Sequence, residues 1–346
     1  MGNCPWLSEA TVERLACPCC MTSLTRATNS LECRNPNCRS SFPLVDGIPI
    51  LIDEAISVFS ISDFTSRRDT FFPARSKLVQ LLRRLIPSIS LNLKARKNYR
   101  AFAELLLRSD ARPKVLVIGG SITGGGMDDL LRTSEIEFVE SDVSFGPRTA
   151  IVLDGHKIPF LDQSFDGVVA QAVLEHVIDP QVVVDEMHRI LKPDGVVYAE
   201  TPFMQQVHAG AYDFTRFTHL GHRHLFRGFQ EISSGAVGGA GMALAWSYKY
   251  FLMSFTNNPL LRKFLGVVAE CTSFFLKYVD YLTIDNPASL DAASGVFFLG
   301  RKSATALSDR ELIKGYRGAG RAADPVALEL KHTSPDSPAR PGIPTQ

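Results

Sequence analysis

Short hydrophobic runs alternate with polar turns and amphipathic stretches between Lys114 and about Pro202. Five of these runs have the composition of buried strands: VLVIG, IEFVES, AIVLD, DGVVAQ and GVVYAET. Helical periodicity begins at Met127 after the first run and spans Gln181–Leu191 before the fifth, and a last run, GVFFLG, ends near Arg301. This alternation predicts an α/β fold with a doubly wound, mostly parallel sheet covered by helices.

The rest of the chain divides by composition. The predicted boundaries are 1–52 for a cysteine-rich module, 53–113 for a basic helical connector, 114–302 for the sheet region with a helical aromatic insert at 243–283, and 303–346 for a disordered tail. Within the connector, helices are predicted over 76–86 and 92–108. The aromatic insert is interpreted as core or as a lid, with a pocket wall or peripheral membrane contact as the alternative.

Composition excludes few classes of partner. The chain has 346 residues, of which 45% are hydrophobic and 21% charged, and its formal net charge is +1. Near-neutral charge gives no global reason to expect nucleic acid, although residues 67–114 carry thirteen Lys or Arg against three Asp or Glu. The longest apolar run contains Glu270 and Lys277, so no transmembrane segment is expected. We expect a reducing, cytoplasmic setting, because no signal peptide is visible.

Five of the seven cysteines fall within 22 residues, from Cys17 to Cys38. Cys17 and Cys20 are separated by two residues, and Cys33 and Cys38 follow after a short gap with four residues between them. Two close pairs of thiolates separated by a hairpin fit a tetrahedral, structural zinc ion with these four cysteines as ligands. Unligated cysteines or a disulfide are the alternatives. The phrases CPCC, LEC and SFPLVDGIPILI resemble the zinc-ribbon family related to the activator subunit of tRNA methyltransferases.

The first predicted strand ends in the turn GGSITGGG, residues 119–126. A P-loop requires a Lys and a hydroxyl residue after its last glycine, and neither is present. The dinucleotide pattern Gly-x-Gly-x-x-Gly also fails in every register. A glycine-rich turn without these features favours a cofactor without a pyrophosphate, such as S-adenosylmethionine. Gly119, Gly120, Ser121 and Gly124 are the turn residues expected to contact it.

Polar residues follow the next strands at the edge where open parallel sheets bind ligands. Asp142 ends the second strand, where a carboxylate can accept hydrogen bonds from two ribose hydroxyls. Asp154 follows the third strand, where it can accept from an adenine amino group. Gln171 ends the fourth strand and completes the predicted cofactor set. Solvated strand ends are the alternative for either acid taken alone.

Residues 154–203 resemble class I S-adenosylmethionine-dependent methyltransferases of the common small-molecule type. The matching phrases are PFLDQSFD, LEH and LKPDG. The resemblance spans about residues 96–301 and implies a seven-stranded sheet and S-adenosylmethionine as cofactor. The first motif departs from the family pattern, because Val117 stands where an acid is usual and Gly120-Ser121-Ile122 stands where the family has a Gly-x-Gly pair.

A polar stretch after the fifth strand, TPFMQQVHAGAYDFTRFTHLGHRHLF, is expected to face the methyl acceptor. It is similar to a phrase of related bacterial methyltransferases, which implies His208 as candidate base and Asp213 with Arg216 as acceptor-binding or loop-fixing groups. A purely loop-bracing role for this Asp and Arg is the alternative. Three further histidines, at 219, 222 and 224, are interpreted as the polar face of a surface helix rather than as a second metal site.

These observations predict methyl transfer to a small-molecule or glycan-type acceptor. An RNA methyltransferase that uses the cysteine module and the basic connector is the first alternative, but the module itself is not strongly basic, so a nucleic-acid partner is not favoured. A binding module without catalysis is the second alternative.

Overall fold

A computed structural model of the chain describes residues 7–68, residue 83 and residues 85–320. Most of the helix predicted over 76–86 and the end of the chain from residue 321 lie outside the described residues. The strands are β1 (Leu24–Arg26), β2 (Ser30–Cys33), β3 (Ser41–Val45), β4 (Ile48–Leu51), β5 (Lys114–Ile118), β6 (Glu137–Asp142), β7 (Ile151–Leu153), β8 (Phe165–Gln171), β9 (Leu191–Pro202), β10 (Phe229–Gly238) and β11 (Gly295–Lys302).

The helices surround this sheet on both faces. They are α1 (Glu9–Val12), α2 (Ile61–Thr65), α3 (Ala95–Ser109), α4 (Met127–Leu131), α5 (Pro180–Ile190), α6 (His219–Leu225), α7 (Ala240–Met253), α8 (Pro259–Ser273), α9 (Leu276–Thr283), α10 (Pro287–Asp291) and α11 (Asp309–Lys314). None of the helices in the described ranges combines the length and the apolar composition that crossing a bilayer requires.

The central sheet confirms the predicted α/β fold. Its strand order is β7-β6-β5-β8-β9-β11-β10, with parallel pairing from β7 to β9 and antiparallel pairing of β11 with both neighbours. The chain runs outward from β5 to β7 on one side and then returns to β8 on the other. The carboxyl ends of β5 and β8 therefore flank the point where open sheets of this kind bind ligands.

The cysteine-rich module extends this sheet. Strand β4 pairs with β7 in parallel, with Ile50 opposite Val152 and Leu51 opposite Leu153, so that eleven strands form one continuous sheet among the described residues. Leu15 also bridges to Phe160, and both side chains belong to the same buried cluster. The module and the sheet region thus share one hydrophobic core.

Helix α3 lies where the sequence predicts it. Its residues Tyr99, Phe102 and Leu106 are buried, as expected for the apolar face of the predicted helix over 92–108. The aromatic insert is only partly core, because Phe255 is 70% exposed and Leu282 is 85% exposed. Its helix α7 contacts the loop after β9, since the hydroxyl of Tyr250 donates to the carbonyl of Val207.

Two expectations were wrong. Residues 303–320 are not disordered, because α11 begins with a capping box between Ser308 and Glu311 and buries Leu312 against the body. Helix α6 is not a surface helix with an outward histidine face: His219 and His222 are buried, since α6 packs against β11 and α11. Strand β10 was also not anticipated, because its polar sequence lacks the apolar run of a buried strand.

Candidate functional site

Two neighbouring cavities open at the carboxyl ends of the central strands. The larger cavity has a volume of about 450 Å³ and the smaller one about 120 Å³. Gly119, Ile122 and Ala172 line both of them, so the glycine turn after β5 forms their common wall. Their position at the reversal of strand order agrees with the binding edge predicted from the sequence.

The smaller cavity contains both acids predicted to bind the nucleoside. Asp142 lies at the end of β6, and its Oδ2 accepts a hydrogen bond from the Ser121 amide at 3.0 Å. Burial raises the pKa of the Asp142 carboxyl, although this hydrogen bond acts to lower it. Phe59 and Tyr212 stack with a centroid distance of 5.7 Å and also line this cavity. A flat apolar wall beside a carboxylate suits a ribose and a planar base.

Asp154 already has protein partners on both carboxylate oxygens. Ser57 Oγ donates to Oδ2 at 2.6 Å, and the Nδ1 atom of His156 lies 2.6 Å from Oδ1. Burial acts to raise the pKa of Asp154, but the hydrogen bonds from His156 and Ser57 bring it below its ordinary value. Any contact between Asp154 and an adenine amino group would share the carboxylate with these donors, and it stays a prediction.

The predicted residues of the glycine turn have different surroundings. Gly120 donates its amide to the carbonyl of Ser141 at 2.9 Å, which ties the turn to β6. Gly124 lines the larger cavity against Gln171, and a Cβ atom at Gly124 would lie 1.7 Å from Gln171 Oε1. The turn therefore passes so close to Gln171 that a side chain at residue 124 would displace it.

Glu200 lies at the end of β9 and lines the larger cavity. Its Oε2 accepts hydrogen bonds from Asn92 Nδ2 and Gln171 Nε2, each at 2.7 Å, and its Oε1 accepts from the hydroxyl of Tyr198. Burial raises the pKa of Glu200, although these donors act to lower it. Three donors fix this buried carboxylate in place, so that it presents a defined negative group to the cavity when ionised.

A second buried carboxylate has no such support. Glu175 is 0% exposed, and neither of its carboxylate oxygens has a hydrogen-bond partner among the described residues. Burial raises its pKa to about 8. Two histidines lie beside it, with His176 Nε2 at 3.6 Å and His208 Nε2 at 3.9 Å from Glu175 Oε1.

The loop after β9 brings His208 to the larger cavity but leaves Asp213 and Arg216 outside both cavities. Asp213 accepts the His208 amide at 2.8 Å and forms an ion pair with Arg216. The guanidinium of Arg216 also donates to the carbonyls of Gln205 at 2.8 Å and Gln206 at 3.1 Å. Burial acts to raise the pKa of Asp213, but Arg216 lowers it to about 2. The pair contacts the loop backbone and lies outside the two cavities, so its role in acceptor binding stays a prediction.

Sequence reasoning missed several polar residues of the larger cavity, among them Asn92, Glu175 and Glu200. Glu175 stands directly before His176 in the phrase LEH, which is the one signal that pointed to it. Glu200 interrupts an apolar run, and its partner Gln171 lies opposite it in the β8–β9 register. Asn92 comes from the connector, and no motif marks it.

The four cysteines predicted as metal ligands lie together. Their sulfur atoms are all within 4.8 Å of one another, with Cys17 Sγ 3.8 Å from Cys38 Sγ and Cys20 Sγ 3.4 Å from Cys33 Sγ. A tetrahedral zinc ion with Zn–S bonds of about 2.3 Å places its sulfur ligands about 3.8 Å apart. The four residues therefore fit such an ion, and Cys19 lies outside the set.

Comparison with known proteins identifies one family model and several structural likenesses. Residues 129–199 match a family model described as "Methyltransferase domain". Phosphoethanolamine N-methyltransferase 2 of Haemonchus contortus, in complex with S-adenosyl-L-methionine, is 17% identical over 62% of this chain and 55% of that chain, with a TM-score of 0.37. A complex between the Haloferax volcanii Trm112 methyltransferase activator and a methyltransferase is 19% identical over 61% of this chain and 92% of that chain, with a TM-score of 0.34. The [4+2]-cyclase SpnF is 15% identical over 60% of this chain and 82% of that chain, with a TM-score of 0.35. Curated protein sequences give no match.

The sheet topology and the family match agree with the resemblance described from the phrases PFLDQSFD, LEH and LKPDG. The matched residues run from α4 to β9 and so include the strands whose ends carry Asp142, Asp154 and Gln171. Within the α/β region, residues 129–199 are therefore similar to a methyltransferase domain.

Proposed function

We propose that this protein transfers a methyl group from S-adenosylmethionine to a small-molecule or glycan-type acceptor. The observation that carries the proposal is the charge of the two cavities. Asp142, Asp154 and Glu200 line them, and no Lys or Arg is found among the described residues of their walls. Such walls favour a cofactor with a sulfonium and an ammonium group and disfavour a pyrophosphate.

The cofactor would extend from the smaller cavity into the larger one. Asp142 would hold the ribose hydroxyls, and Asp154 lies beside the predicted base position. Gly119, Gly124 and Gln171 would surround the methionine end, with the carboxylate of Glu200 beside Gln171. Ser121 lines the smaller cavity, and Gly120 lines neither cavity but ties the turn to β6. When bound, the cofactor supplies an electrophilic methyl group, and the protein supplies position and charge.

The acceptor would enter the larger cavity from the side of the loop after β9. His208 is the candidate base there, and the Asp213–Arg216 pair keeps its backbone in place. The exposed apolar residues of α7, α8 and α9 support the alternative of peripheral membrane contact by an acceptor with a lipid part. We retain a cytoplasmic location as a prediction.

For the cysteine cluster we propose a structural zinc ion. Four thiolates leave no open coordination position, so the metal would stabilise the module rather than react. Through the β4–β7 pairing, that stability would reach the wall of the smaller cavity.

An RNA acceptor is less favoured. Several described basic side chains of the connector are paired with acids, among them Lys94 with Asp285 and Arg96 with Asp129. Paired charges contribute little counterion release on a phosphate backbone.

The proposal is tested by isothermal titration of the zinc-loaded protein with S-adenosylhomocysteine, with NAD as control ligand. One-to-one binding of S-adenosylhomocysteine and none of NAD is expected. Absence of binding would favour the alternative of a non-catalytic module. A steep salt dependence of RNA binding would instead favour the RNA alternative.

A further inference from the structure

Glu175, His176 and His208 form a cluster where the two cavities meet, and the proposed methyl transfer gives a role only to His208. One ligand atom from each residue, a carboxylate oxygen or a ring nitrogen, lies within 4.8 Å of the other two. The Nε2 atoms lie 3.6 Å and 3.9 Å from Glu175 Oε1, which is too long for hydrogen bonds of about 2.9 Å. Ligands about 2.1 Å from a tetrahedral metal ion are about 3.4 Å apart. The observed spacing is therefore close to that of a metal site.

The other ring nitrogen of each histidine has a backbone partner. His176 Nδ1 lies 2.7 Å from the carbonyl oxygen of Tyr212, and His208 Nδ1 lies 3.3 Å from that of Gln206. Metal-binding histidines usually donate one ring N–H to a carbonyl or carboxylate, which orients the other nitrogen toward the ion. His176 has this arrangement. His208 Nδ1 lies close to the Gln206 carbonyl, and it also lies 3.5 Å from Asp213 Oδ2 and 3.4 Å from a guanidinium nitrogen of Arg216. In both rings Nε2 is the nitrogen that lies near Glu175.

The surroundings of Glu175 are a second, independent observation that points to a bound cation. Its carboxylate is fully buried, lines the cavity, and lacks a hydrogen-bond partner among the described residues. An isolated buried carboxylate is costly, because its ionised form is desolvated without compensation. A divalent cation would compensate that charge.

We propose that Glu175, His176 and His208 bind a divalent transition metal ion, distinct from the zinc of the cysteine cluster. Two imidazoles and one carboxylate suit zinc, iron(II), cobalt(II) or manganese(II) better than magnesium or calcium, which prefer oxygen ligands. Three protein ligands leave at least one open position toward the cavity, where an oxygen atom of the acceptor can bind. A metal-bound Nε2 cannot accept a proton, so this site replaces the base role predicted for His208.

The site can be tested by cobalt(II) titration of the full chain loaded with one equivalent of zinc. Four thiolates bind the first equivalent more tightly, so cobalt(II) then reports on the second site. We expect one further equivalent to bind, with d–d absorption in the visible and no thiolate charge-transfer band. Replacing His208 with Ala should weaken cobalt(II) binding by more than the roughly 10–100-fold typical of losing an outer-shell partner. His208 is accessible, so this variant is expected to fold.

His224→Ala is the matched control, because this histidine is exposed and pairs with Asp309 away from both cavities. It should bind cobalt(II) like the unchanged protein. The proposal is overturned if no second equivalent binds, if the cobalt(II) spectrum is that of thiolate ligation, or if His208→Ala binds unchanged. Titration of the same samples with S-adenosylhomocysteine reports separately on the cofactor, so failure of one proposal is distinguishable from failure of the other.

Discussion

Replacing Asp142 with Asn tests the cofactor assignment with little change of shape. The carbonyl oxygen of the new amide side chain could still accept the Ser121 amide, which now donates to Asp142 at 3.0 Å. The change removes the negative charge that would accept two ribose hydroxyls. Hydrogen bonds to a charged acceptor contribute about 1 kcal/mol more than neutral ones, so two of them give a loss of about 2 kcal/mol. The dissociation constant of S-adenosylhomocysteine should therefore rise about 30-fold.

Asp166→Asn is the matched control for this measurement. Asp166 lies near the amino end of β8, the end away from the cavities, where its carboxylate contacts Lys192 Nζ at 2.8 Å and accepts the Lys114 amide at 2.9 Å. This variant should lose some stability and bind S-adenosylhomocysteine normally by isothermal titration. Unchanged affinity in Asp142→Asn, or an equal loss in both variants, would refute the role of Asp142.

Three further substitutions test packing, backbone and metal. His222→Phe should raise the free energy of unfolding by about 1–3 kcal/mol, because both ring nitrogens of His222 are buried without partners among the described residues. Burial lowers the pKa of His222 to about 3, so below the ordinary value of about 6.5 only the unfolded chain is protonated there. Between pH 7 and pH 5, this protonation should lower the free energy of unfolding of the unchanged protein by about 2 kcal/mol. The variant lacks this loss, and urea unfolding at the two pH values measures the difference. Gly126→Ala should lower the free energy of unfolding by more than about 1 kcal/mol, because Gly126 has a φ of +82° and a Cβ there would lie 2.5 Å from Ala95 Cβ. Gly125→Ala is the control: its Cβ would meet only Asn92 Cβ at 3.7 Å, so the free energy of unfolding should hardly change. Cys33→Ser should lower the zinc content below one ion per cysteine cluster and the thermal midpoint, whereas Cys19→Ser should change neither; equal effects would contradict the predicted ligand set.

The central sheet was predictable because its strands are continuous apolar runs separated by helical periodicity. Strand β10 was not, since it is an edge strand whose polar residues give no period-two signal. The clustering of Cys17, Cys20, Cys33 and Cys38 was predictable from their spacing, because two close pairs separated by a hairpin bring these sulfur atoms together. The cysteine spacing does not predict that β4 pairs with β7, because that pairing joins two segments that are distant in sequence.

The cavity was predictable only in part. Asp142, Asp154 and Gln171 lie at the carboxyl ends of predicted strands, so the fold class alone predicts that they lie at the same end of the sheet. Glu200 meets Gln171 because β8 and β9 are neighbours in register, which a strand pattern alone does not determine. The isolation of Glu175 depends on the packing of the loop after β9, and no local pattern describes that packing.

Because β4 is the outer neighbour of β7, the chain cannot be shortened to its sheet region without exposing a strand edge. The segment directly after β4 also supplies part of the smaller cavity, where Phe59 lines the wall and Ser57 donates to Asp154. A fragment beginning at Lys114 would therefore expose the edge of β7 to pairing with other molecules. It would also lack part of the wall of the smaller cavity. Screens for acceptors should therefore use the whole chain, because inactivity of a truncated chain would not report on the activity of the protein.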